Sequence, residues 1–293
     1  MPIKESLLAL SVVVIWGVNF VVIQVALREI PPLLLTFLRF SCVAFPWIFF
    51  FKKPQNTSWK LLLAYALSMF VLDFAFLFSG MYVGVSSGIA SLALQTQVFF
   101  TAALAVIVFK EKMTPAKVLV ATIAFFGIVF VGFHTGGDVN LLGLFFVECA
   151  ALSWAIGNLV SKRIGHVDML GLVVWGSFIS LPFLGVLAYC FESHLWHTEM
   201  FTHLSFKSIA ALAYLAYPVT FFGFGIWSWL LSRYPATTVA PFTLLVPVVG
   251  FTSSALLLQE ALPLWKLFAA ALIVTGLVVN LYADRWFFSR KRV

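Results

Sequence analysis

Three charged side chains occupy stretches that are otherwise almost wholly apolar: Arg39 in "LLLTFLRFSCVA", Asp73 in "VLDFAFLF" and Glu148 in "LLGLFFVECAAL". An isolated charge near the middle of a bilayer costs about 2.5–3.5 kcal/mol or more, so such groups must pair or face a water-filled cavity. At about 1.5 Å of helical rise per residue, Asp73 lies about 9 Å below one membrane surface and Arg39 and Glu148 each about 10 Å below it. All three then share one layer in the outer half of the membrane. Asp73 and Arg39 sit on adjacent apolar segments and are expected to pair. That leaves Glu148 without a cation. Desolvation favours the protonated form of a carboxylate, the condition for a group that takes up a proton on one side and releases it on the other. With two carboxylates and one guanidinium the ionised layer is net negative, which favours zwitterionic or cationic substrates over anions.

Neutral groups fall near the same layer. Asn19, Gln24, Gln95 and Gln97 offer hydrogen-bond donors and acceptors, and Trp16, Trp154, Trp175 and Trp227 offer flat apolar walls. Gln95 and Gln97 are two residues apart, about 200° around a helix, so only one of them is expected to face a cavity. Gly88, Gly223, Gly225, Pro218, Pro241 and Pro247 interrupt helical stretches, and Gly88, Pro241 and Pro247 are the candidate bending or gating positions. Packing alone also places Gly and Pro in membrane helices. Trp59, Trp265 and Trp286 lie near segment ends, where interfacial anchoring accounts for them.

Other chemistry finds little support. His134, His166, His194, His197 and His203 all fall between apolar segments, so an intramembrane enzyme would lack a buried imidazole. Glu192, His194, His197, Glu199 and His203 could hold zinc weakly, but a solvated polar loop explains them with fewer assumptions. No metal site and no cofactor are expected. A phosphate-binding loop is absent, so ATP is not the direct energy source. Cys42, Cys149 and Cys190 show no paired spacing and read as packing residues.

The elements that must carry these residues are membrane helices. Of 293 residues 62% are hydrophobic, 17% aromatic and 10% charged, too few charges to cover a soluble globule. Ten apolar segments of about 20 residues can be laid along the chain: 6–27, 32–51, 59–79, 87–109, 116–133, 141–161, 169–191, 208–231, 237–258 and 264–283. Their continuous apolar runs lack the alternation of a membrane β-barrel. The first follows a single lysine and has no small-residue cleavage site, so it reads as a retained helix. Fourteen basic residues fall on one side of the resulting topology and three on the other, which places both termini in the cytoplasm. Topology thereby accounts for the net charge of +7, and no nucleic-acid partner is needed.

A repeat is visible at an offset of 149: Glu111, Lys117 and Gly127 recur as Glu260, Lys266 and Gly276. "VVIWGVN" and "ALSWAIGN" echo each other at the starts of the halves 1–138 and 139–293. Five spans per half is an odd number, so the second half enters upside down, and inverted halves can expose a central cavity to either side in turn. That is alternating access.

"WGVNFVVIQVALREIPPLLLTFLRF" (16–40) and "YPATTVAPFTLLVPVVGFTSSALLLQEAL" (234–262) resemble the EamA branch of the drug/metabolite transporter superfamily, and the resemblance spans essentially the whole chain. Trp16, Gly17, Asn19, Pro32, Arg39, Phe40, Ala240, Pro241, Pro247 and Glu260 occupy the matching motifs. The resemblance implies an all-α membrane protein of ten helices in two inverted five-helix repeats, acting in the bacterial inner membrane. It implies export of amino acids or related amine-bearing metabolites. Asp73 and Glu148 depart from the pattern expected of its amino-acid exporters, where an uncharged amide and an aliphatic residue are expected. Alternatives are a multidrug or cationic-compound exporter and, further off, a channel or an enzyme. Expected partners are a small zwitterionic or cationic substrate and the lipid bilayer, with the protein a monomer or weak dimer.

Overall fold

The computed structural model describes residues 2–110 except 56, 140–196 except 166, 204–234 and 239–268, with isolated positions at 126, 130, 133, 270–272 and 275. Among these residues every regular element is helical. Seven helices are long and apolar enough to cross a membrane, and Val246–Leu258 is a shorter apolar helix. The expected spans at 116–133 and 264–283 fall largely outside the described residues, as do Glu111, Lys117, Gly127 and Gly276.

The first crossing is α1 (Ile3–Ala26), followed by α2 (Pro32–Ala44), which starts on Pro32 where a missing N–H is harmless. The third crossing is α3 (Trp59–Ala66), a π-helical stretch Leu67–Leu72, and α4 (Asp73–Tyr82). The fourth is α5 (Ser87–Ala93), a 3-10 turn Leu94–Thr96, and α6 (Gln97–Phe109). Two 24-residue helices follow, α7 (Leu141–Ile164) and α8 (Met169–Glu192), capped by Asn140 and Asp168. Next come α9 (Phe206–Tyr214), a π-helical stretch Leu215–Phe224 and α10 (Gly225–Arg233). Last of the described crossings is a 3-10 stretch Ala240–Leu245 leading into α11 (Val246–Leu258).

The breaks have local causes. Pro218 lies inside the second π stretch, where it lacks an N–H and its ring would crowd the carbonyl four residues back, so the helix widens. In the first, the Ser68 hydroxyl donates to the Ala64 carbonyl at 2.7 Å and the Tyr65 carbonyl at 3.3 Å, competing with the backbone ladder. Pro241 and Pro247 stand at the first positions of a 3-10 stretch and an α-helix. They start helices here and do not kink one in mid-course. Gly88 likewise sits in the first turn of α5, and a Cβ there would lie 2.8 Å from Phe251. Close packing, not bending, accounts for it.

Among the described residues several features recur in both parts of the chain. α6 and α11 are each 13 residues long, and each ends on a residue in the left-handed region, Lys110 at φ 55° and Gln259 at φ 56°. Those two residues are 149 apart, the offset of the sequence repeat. Both π stretches follow a helix capped by a serine hydroxyl, Ser58 or Ser205. Contacts are paired as well: α3 packs on α7 as α9 packs on α1, α6 on α7 as α11 on α1, and α2 lies against α8. At the α4–α7 crossing, Gly80 and Gly143 meet backbone to backbone, with a Cβ on either falling within 2.7 Å of the other's carbonyl oxygen.

Candidate functional site

One end of this bundle is tied together by carboxylates. The Leu33 and Leu34 amides at the start of α2 donate to Glu192 Oε1 and Oε2 at 2.8 and 2.9 Å. Glu260 Oε1 accepts from the Ser87 amide at 3.1 Å and hydroxyl at 2.8 Å, and Oε2 accepts from the Gly88 amide at 3.4 Å. The Ser205 amide donates to Glu29 Oε2 at 2.9 Å. Each carboxylate satisfies amides left bare at a helix start, where the helix dipole also favours a negative charge. Each also joins a residue numbered below 138 to one above it. Glu192, expected in a solvated loop, is in fact buried, and only its role as a cap on a helix 159 residues away explains this. Hydrogen bonds from the Ser205 backbone and hydroxyl hold the exposed Glu29 carboxyl below its ordinary value.

From that end the bundle opens inward into a cavity of about 730 Å³ that runs to Ser161, Lys162 and Met169 at the opposite end of α7 and α8. Trp16, Asn19, Arg39, Asp73, Gln95, Trp154 and Trp227, all singled out from the sequence, line it. Both π stretches contribute to its wall, through Met69 and Val219, and Asp73 follows immediately on the first.

The expected Asp73–Arg39 pair is not made. Both Asp73 carboxylate oxygens, with the residue 1% exposed, lack a hydrogen-bond partner, as do Arg39 Nε and Nη1. Arg39 is held elsewhere: its guanidinium carbon lies 4.2 Å from the Phe74 ring centre, 5.4 Å from Phe40 and 5.9 Å from Phe78. Its Nη2 donates to the Thr220 hydroxyl at 3.3 Å, and that hydroxyl donates to the Leu215 carbonyl five residues back, a spacing the π stretch creates. Aromatic faces attract the cation and help to keep it in place.

Glu148 is not among the cavity-lining residues. Its Oε2 accepts from the Thr96 hydroxyl at 2.8 Å and its Oε1 has no partner, so it sits behind the fourth crossing and not in the layer's open space. Gln95 and Gln97, by contrast, both line the cavity. The change from α to 3-10 at Leu94–Thr96 alters the angle between them, and Gln97 Nε2 donates to Gln95 Oε1 at 3.4 Å. Gln95 Nε2 in turn donates to the Thr243 carbonyl at 3.3 Å. Trp175 belongs to another region: it donates to the Phe51 carbonyl at 2.9 Å and packs on Trp59.

Towards the open end the wall is aromatic. The Trp16 ring centre lies 5.3 Å from Trp227 and 5.8 Å from Phe224, and Trp154 is 6.3 Å from Phe224. The Trp16 indole N–H donates to the Val219 carbonyl at 3.2 Å, and Gly223 leaves room for its ring. Phe224 and Thr220 were not picked out from the sequence. Their only signal was proximity to Pro218, which disturbs the helix they belong to.

A cavity with polar atoms at its closed end and rings towards its mouth suits a small amphipathic organic molecule. The "EamA-like transporter family" model matches the chain twice, over residues 3–133 and 141–282. A "Probable amino-acid metabolite efflux pump" of Escherichia coli (strain K12) is 40% identical over 97% of this chain and 96% of that protein. A protein of the same description from Salmonella typhimurium is 42% identical over 96% of each chain. An uncharacterized transporter of Bacillus subtilis, YoaV, is 27% identical over 99% of this chain and 100% of its own. A solved crystal structure superposes with a TM-score of 0.65 over 94% of this chain and 95% of that one at 18% identity, a likeness of fold. The chain is a multi-pass membrane protein and belongs to the EamA-like transporter family.

Proposed function

We propose that this protein is a secondary transporter that exports small amino acids or related amine-bearing metabolites across the bacterial inner membrane by alternating access. The observation that carries the reading is a cavity lined by residues of both family repeats, with carboxylates joining the repeats at one end of the bundle. Ten helices in two inverted repeats, 1–138 and 139–293, with both termini cytoplasmic, would place the open end in the cytoplasm. The present conformation is then the one that loads cargo for export. Gly88, Pro241 and Pro247 lie at helix starts that the opposite conformation would have to move. Glu148, one carboxylate oxygen unpartnered, is the candidate proton carrier beside the cavity. The similarity to proteins described as probable amino-acid metabolite efflux pumps supports the cargo class.

Counterflow in proteoliposomes tests this. Vesicles loaded with unlabelled cysteine, O-acetylserine, threonine or lysine should take up the labelled form saturably, faster with an imposed pH gradient. The aromatic wall beside Asp73 also favours a second reading, a cationic-drug exporter. Uptake of a quaternary-ammonium dye with no amino-acid exchange would select it.

A further inference from the structure

The cavity gathers buried polar atoms that bond to nothing. Asp73 Oδ1 and Oδ2, Asn19 Oδ1, Gln97 Oε1, Arg39 Nε and Arg39 Nη1 are all unpartnered, and all belong to residues that line it. Unmade hydrogen bonds of this kind are rare in folded proteins because each costs the full desolvation of the group. Here they divide into two sets: a guanidinium with donors to spare, and oxygens that can only accept or that accept alongside an amide. Asp73 and Arg39 make no hydrogen bond to each other, so an acidic and a basic group at the cavity wall each keep hydrogen-bonding capacity to spare.

We propose that this is a zwitterion clamp, in which Arg39 receives the carboxylate of a free α-amino acid while Asp73, with Asn19 Oδ1, receives its ammonium group. The inference rests on the amino-acid exporter reading above and adds the recognition chemistry to it. A carboxylate takes charge-assisted hydrogen bonds from a guanidinium, and an ammonium group carries three donors, matched by the oxygens of Asp73 and Asn19. Arg39 is preorganised for this by Phe74 and Thr220, so binding does not have to order a flexible side chain. The amino-acid side chain then lies towards Trp16, Phe224 and Trp227, rings that tolerate many shapes. Discrimination falls on the two backbone charges, and cargo lacking either one leaves a buried ion unpaired.

The test is competition in wild-type proteoliposomes. Labelled cysteine, threonine, phenylalanine and lysine are screened by counterflow, and the one exchanging fastest is challenged with its unlabelled parent, its carboxamide and its N-acetyl derivative. The clamp predicts that both derivatives compete at least about tenfold less well than the parent, the usual consequence of losing one charge-assisted hydrogen bond. Asp73→Asn should narrow the gap between the parent and the N-acetyl derivative, and Arg39→Gln the gap between the parent and the carboxamide. Equal competition by all three compounds in the wild type would overturn the clamp while leaving amino-acid export intact. Absence of counterflow with every amino acid would overturn both. The wild-type series decides the matter even if a variant fails to fold.

Discussion

Glu192 and Asp73 are both carboxylates buried to within a few per cent, at 5% and 1% exposure. Glu192 uses both oxygens to cap α2 from across the molecule, whereas Asp73 uses neither. Glu260 behaves like Glu192, accepting three hydrogen bonds at the start of α5. The sealed end of the bundle is thus a place where polar groups have been satisfied by the chain itself, and the cavity one where they have not. Satisfied carboxylates stabilise a conformation. Unsatisfied ones lower stability, and on the account above a ligand supplies what the chain withholds.

Substitutions can break that contrast, and the largest effect is expected on transport. Asp73→Asn or Arg39→Gln should slow amino-acid counterflow by about 10- to 100-fold, the loss expected of a charge-assisted hydrogen bond of about 1.5–3 kcal/mol. Thermal unfolding of Asp73→Asn in detergent should be unchanged or higher in midpoint, because an unpaired buried charge has been removed. At the sealed end Glu192→Ala should do the reverse. Two amides of α2 lose their acceptor, so stability should fall by about 2–3 kcal/mol, read as a lower unfolding midpoint with binding of cargo retained.

Intermediate in size is the crossing of α4 and α7. Gly143→Ala pushes a methyl against the Gly80 carbonyl oxygen, to within 2.6 Å before relaxation, and overpacking of this kind costs about 1–3 kcal/mol. A variant as stable as the wild type would show that the halves slide apart there more easily than the contact implies. The smallest effect belongs to Glu29. Its carboxyl is held below the ordinary glutamate value of 4.5 by hydrogen bonds from Ser205, so its contribution is full above that value and fades as pH falls through the lowered one. The midpoint difference between the wild type and Glu29→Gln should therefore shrink on acidification across that window. A constant difference would mean that the contact does not depend on charge.

Much of this was legible in the residues. Continuous apolar runs announce membrane helices because length and composition suffice for them, and the offset of 149 reappears where α6 and α11 end, at Lys110 and Gln259. Seven of the residues chosen as cavity candidates do line the cavity. Sequence and structure part where a helix is neither straight nor regular. Counting residues gives depth, but not the direction in which a side chain points: Arg39 and Asp73 share a height, yet Arg39 turns into a cage of Phe rings. The π stretch that brings Thr220 into play depends on Pro218 and its neighbours, and the 3-10 turn before Gln97 changes the angle to Gln95; no periodicity reveals either. The burial of Glu192 is hidden from the sequence for a related reason: its partners lie 158 and 159 residues away.

One paired measurement tests the central contrast most directly. Equilibrium binding of a labelled amino acid and the unfolding midpoint would be recorded side by side for the purified wild type, Asp73→Asn and Glu192→Gln. The account predicts that Asp73→Asn loses binding and keeps its midpoint, while Glu192→Gln loses midpoint and keeps binding. An Asp73→Asn protein that unfolds early yet binds normally would contradict it, and would make Asp73 a structural residue like Glu192.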